Sequence, residues 1–116
     1  MNIIEKTDEE LFEIAGPWWE KLIKYSNNKN YLMFIEHFSK TLRAGANEME
    51  IGKQFAKSEL AQNLDPAFEI LGTIRRGEHV TVLIRQKSKT KEGEWLGRIV
   101  LGYEDGEVKI FSVSLF

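Results

Sequence analysis

Apolar residues recur at helical spacing in the first half of the chain and at strand spacing in the second. Leu11, Ile14, Ala15, Trp18, Leu22 and Tyr25 form a stripe of period near 3.6, and Phe12, Trp19 and Ile23 lie beside it. So wide an apolar arc predicts a first helix buried on more than one side. Thr7-Asp8-Glu9-Glu10 is a capping box that opens it, and its acids suit the positive end of the helix dipole. Pro17 lacks an amide hydrogen and crowds the preceding turn. The helix either splits at Gly16-Pro17 or bends there. The stripe keeps phase across the proline, which favours a bend in one helix. Trp18 and Trp19 diverge by about 100° on such a helix and cannot share a face.

"SNNKN" (Ser26 to Asn30) reads as a turn. A second helix is expected over "NYLMFIEHFSKTLRAG", capped by Asn30 and stopped by Gly45, with Leu32, Ile35, Phe38 and Leu42 on its inner face. A weaker third helix is expected from about Glu48 to Leu64, with Met49, Phe55, Ala56, Leu60 and Leu64 inward and Asp65-Pro66 as its end.

The pattern then changes. "AFEILGTIRR", "HVTVLIRQKS", "EWLGRIVLGYE" and "EVKIFSVSLF" are rich in β-branched and aromatic residues and predict four strands. They are joined by Arg76-Gly77-Glu78, the loop "KTKEGE" and Glu104-Asp105-Gly106-Glu107, where Asp-Gly signals a hairpin. Helices followed by an antiparallel meander give an α+β fold in which N-terminal helices pack on a curved four-stranded sheet. Strict alternation places Val108 and Ile110 on one face of the last strand and Phe111, Val113 and Leu115 on the other. In the third strand Trp95, Ile99, Leu101 and Tyr103 oppose Leu96 and Val100. A sheet apolar on both faces predicts a homodimer through the outer face, or strong curl that hides it.

Composition narrows the function classes. At 116 residues the chain is one domain, 1–116, and needs no covalent staples. It has no cysteine, which excludes disulfides, a thiol nucleophile and thiolate metal sites. Two histidines cannot build a multi-histidine metal site. A net charge of −2 argues against a general nucleic-acid binder. The opening "MNIIEKTDEEL" is no signal peptide, and no apolar run approaches the ~20 residues of a membrane span, so a cytoplasmic setting is expected.

In element order and length, the aromatic first helix, the "NNKNYLMFIEHFSK" segment and the closing meander from Gly77 resemble the nuclear transport factor 2-like (SnoaL-like, cystatin-like) superfamily. The resemblance is architectural and covers nearly the whole chain. It implies a cone-shaped roll whose sheet wraps the first helix around an apolar pocket, often dimeric through the outer sheet face. It also implies that one of Trp18 and Trp19 sits in the core while the other lines the cone or its mouth. Function does not follow, since the fold hosts both enzymes and binding domains.

Candidate chemistry is sparse. Trp18, Trp19, Tyr25 and Phe34, with Tyr103 from the third strand, offer an aromatic wall for a hydrophobic small ligand. His37, near the buried boundary of its helix, is the one candidate general acid or base, and His79 opens a strand. Glu13 and Glu69 would matter only if buried. "RQKSKTK" puts Arg85, Lys87, Lys89 and Lys91 at alternate positions, a partner patch or, more simply, lysines guarding a sheet edge. No nucleophile motif, phosphate loop or metal spacing occurs, and no cofactor is expected. The reading favoured is a non-enzymatic small-molecule-binding or accessory domain. A small isomerase or hydrolase using His37, and an adaptor or immunity module that binds protein, are the alternatives.

Overall fold

The computed structural model describes residues 2–45 and 59–116. The order is a 3-10 turn at Ile3–Glu5, helices α1 (Asp8–Asn27), α2 (Tyr31–Phe34), α3 (Lys40–Gly45) and α4 (Glu59–Gln62), then strands β1 (Leu64–Arg76), β2 (His79–Ser88), β3 (Trp95–Glu104) and β4 (Glu107–Leu115). The fold is α+β. The Thr7 hydroxyl accepts from the Glu10 amide, and the Glu10 carboxylate accepts from the Thr7 amide. That reciprocal cap contributes about 1 kcal/mol. Pro17 lies inside one continuous helix. Glu13, whose carbonyl loses its partner, and Pro17 are both exposed, so water can satisfy the vacancy.

The expected second helix is two short ones. After Phe34 the chain leaves helical geometry and residues 37–39 lie along β4. The Ile110 amide donates to the His37 carbonyl at 2.7 Å, and the Ser39 amide donates to the Ile110 carbonyl at 2.8 Å. The Arg43 guanidinium donates to the Glu36 carbonyl and to the Ile35 carbonyl, which also accepts from the Phe38 amide. Ser39 then caps α3, its hydroxyl accepting from the Leu42 amide. The break cancels the single inner face expected for this stretch. Phe38 is buried and Leu42 partly so, but Leu32 is 64% exposed. Most of the third expected helix, including Met49, Phe55 and Ala56, falls outside the described residues. Its end is corrected: the helix stops at Gln62, and Leu64 begins β1. The Asn27 side chain brackets the Leu64 backbone, donating to its carbonyl and accepting from its amide, so the end of α1 sets the start of the sheet.

All strand pairs are antiparallel, in the order β1-β2-β3-β4. β2 is therefore central, and the lysines that follow Arg85 do not guard an edge. The turns use Gly77, Asp105 and Gly106, all with positive φ. Extra residues interrupt the register around Leu71 in β1 and Phe111 in β4, and such bulges bend a strand. The second one overturns the face assignment of β4. Leu101 pairs with Ile110, but Val100 pairs with Ser112, so Phe111 is the inserted residue. Beyond it Val113 pairs with Ile99 and Leu115 with Gly97, which puts them on the same face as Ile110 and not on the opposite one.

That inner face meets α1. Val80, Val82, Ile84, Ile99, Leu101 and Ile110 are at most 1% exposed and pack against Leu11, Ala15, Trp19 and Ile23 of the helix. Burying each large aliphatic side chain stabilises by about 1.5–3 kcal/mol. Arg75 ties the N-terminal segment down: its guanidinium donates to the Ile4 and Lys6 carbonyls and pairs with Asp8 at 2.8 Å.

Candidate functional site

Trp19 organises the centre of the inner face. Its indole N–H donates to the Gln86 side-chain oxygen at 2.8 Å, and the Gln86 amide donates to the Asp65 and Lys87 carbonyls, each at 2.8 Å. Gln86 is fully buried with its donors and acceptor all used, which is the condition for a polar group in a core. The indole ring lies over Gly97, where an added Cβ would sit 2.6 Å from the ring. Glycine is needed there for close approach, not for its backbone freedom.

One side of this indole borders a cavity of about 620 Å³ between the C-terminal half of α1 and the lower half of β4. The volume is in the range of small-ligand sites, about 300–1,000 Å³. Its floor is Trp19, Leu22, Ile23, Phe38 and Leu64, each 3–7% exposed. Val113 and Leu115 form the β4 wall, while Thr41 and Gly45, both exposed, lie at its rim. Residues 37–39 occupy the upper edge of β4, and α3 then runs beside the cavity, with Thr41, Leu42 and Gly45 in its lining. Ser26, whose hydroxyl donates to the Ala61 carbonyl, is among the few polar lining groups. Among the described residues that line the cavity, none is ionisable.

The residues expected from sequence divide accordingly. Trp19 and Phe34 line the cavity; Trp18, Tyr25 and Tyr103 do not. Tyr25 is half-buried near the Lys24 ammonium, and Tyr103 packs on the core from the other end of β3. Trp18 stacks on His37, ring centroids 4.4 Å apart and planes within 8°. The His37 Nε2 is buried with no hydrogen-bond partner; the Glu36 carboxylate stands 3.7 Å away. Burial holds this imidazole below its ordinary value near 6.5. Glu36 pulls the other way, and Lys21, Lys109 and Arg43 add to the depression. His37 therefore stays neutral near pH 7, but it faces Trp18 and not the cavity.

The other candidates are surface groups. His79 meets Phe111 edge-on, with both side chains over Gly102. Glu69 pairs with Arg85 at 2.6 Å, and Glu94 holds the same guanidinium at 3.1 Å. Glu13 is exposed. Among the described residues no cluster of side chains could hold a metal ion, and no helix is long and apolar enough to cross a membrane. The sequence reading missed Gln86, Leu64, Val113 and Leu115. For the first the signal was its place in the alternating set Val80, Val82, Ile84, Gln86, although Arg85 and Lys87 flank it; nothing local marks the other three. Compared with protein-family models, curated proteins and solved structures, the chain finds no match.

Proposed function

We propose that this protein is a non-enzymatic binding domain that takes an apolar ligand in the cavity between α1 and β4. One observation carries the reading: a cavity of about 620 Å³ whose described lining is mainly aliphatic and aromatic, with the Ser26, Thr41 and Ser114 hydroxyls and no ionisable group beside them to act as acid or base. A site between the first helix and the sheet also agrees with the resemblance to nuclear transport factor 2-like domains. An enzyme built on His37 is disfavoured, because its imidazole is stacked against Trp18 outside the cavity. Titration with a neutral naphthalene dye tests the reading. Emission should rise and shift to the blue with saturable, single-site binding, and Leu42→Trp, which enlarges a lining residue next to Thr41 at the rim, should weaken it at least about tenfold. A dye that fails to saturate, or that ignores this substitution in a folded variant, overturns it.

The accessory reading includes a second copy on the outer sheet face. There Ile74 and Leu96, with Leu71 in the β1 bulge, remain 49%, 39% and 47% exposed. Sedimentation should give a dimer that Ile74→Glu converts to a folded monomer. A wild-type monomer at all concentrations removes this part of the proposal.

A further inference from the structure

We infer that the occupant of the cavity is an extended apolar peptide segment, which adds to the sheet as a short strand along Val113 and Leu115. The inference rests on the binding role proposed above and names the chemistry of the ligand. It starts from the outer edge of β4. Phe116 and Leu96 exchange both backbone hydrogen bonds, at 2.8 and 2.9 Å, so the polar groups of Phe116 face β3. Antiparallel ladders alternate. Ser114 and Ser112 therefore face β3 as well, while the N–H and C=O groups of Val113 and Leu115 face away from it. Above the Phe111 bulge, Ile110 also faces away, and there the edge is occupied: residues 37–39 supply a donor and an acceptor to it. Below the bulge the same edge continues without a partner among the described residues. The place a further strand would take is the cavity.

An apolar molecule alone would leave those donors and acceptors buried and unpaired, each at a cost comparable to a lost hydrogen bond. A peptide backbone offers complementary groups at the spacing of a strand, about 3.4 Å per residue, and its alternate side chains can enter the floor between Trp19, Leu22 and Phe38. Uncharged side chains are required, since no described lining residue could neutralise a charge.

The test uses the full chain and a capped peptide of alternating valine and leucine with a lysine at each end. Two analogues carry N-methyl groups, each on one of the two alternating sets of amides. The parent peptide should bind and compete with the naphthalene dye. One analogue should lose about thirtyfold in affinity, the equivalent of two hydrogen bonds, and the other less than about threefold. Amide exchange at Val113 and Leu115 should be fast in the free protein and slow in the complex, with Ser112 and Ser114 slow in both. Dye binding without peptide binding overturns the inference and leaves the apolar cavity standing. Equal affinity of the two analogues, or unchanged exchange at Val113 and Leu115, overturns it too. Failure of dye and peptide alike removes both proposals.

Discussion

Trp18 and Trp19 are neighbours in sequence and opposites in environment. The Trp19 indole is 3% exposed, its N–H has an acceptor, and the strand beneath it carries a glycine so that the ring can lie down. Trp18 is half-buried and covers an imidazole whose buried Nε2 has no partner. One helix thus presents a fully specified contact on one side and an incompletely satisfied one on the next. The difference shows that burial alone does not distinguish core from adjustable surface; completion of the polar groups does.

Trp19→Ala should break the contrast most, costing about 4 kcal/mol in chemical denaturation against about 1–2 for Trp18→Ala. Equal costs would show that the two environments are energetically alike. Gln86→Leu follows at about 3 kcal/mol, because it strands the buried Trp19 N–H and leaves two part-buried carbonyls without their donor. A matching Trp19→Phe, Gln86→Leu double variant should cost less than the sum of the singles. Gly97→Ala should cost about 2 kcal/mol, since its methyl meets a ring that the Gln86 bond holds in place. The same change at Gly72, where an added Cβ meets nothing within 4 Å, serves as the control and should cost far less.

The smallest effect belongs to His37 and has a defined sign. Its pKa is depressed in the folded state, so the unfolded chain binds the proton more readily. Stability contributed by the neutral imidazole is present above its unfolded value near 6.5 and declines as the pH falls through and below it. The difference in melting temperature between wild type and His37→Gln should therefore shift against wild type between pH 7 and pH 5. A pH-independent difference would show that the imidazole is not desolvated.

Much of the fold was legible from local chemistry. The four strands followed from β-branched runs, the turns from Gly77 and Asp105-Gly106, and the start of α1 from Thr7 and Glu10. The break in the expected second helix had one readable sign, Ser39, a good cap lodged mid-pattern. Its cause is not local: residues 37–39 leave the helix to bond Ile110, far along the chain in β4. The bulge at Phe111 is likewise set by partners on both sides of β4, and it alone misdirected the face assignment of Val113 and Leu115. Of the aromatic wall, Trp19 and Phe34 line the cavity, while Trp18, Tyr25 and Tyr103 share their composition but not their direction. Hydrophobicity in sequence reports that a side chain avoids water, not which apolar neighbour receives it.

The inserted Phe111 has a consequence for how this chain tolerates genetic change. Substituting it alters one side chain. Losing its codon would remove the bulge but keep the register: Ser112 would still oppose Val100 and Val113 would still oppose Ile99, so Val113 and Leu115 would stay inward. At this one position the gene can lose a residue without turning the faces of the strand over.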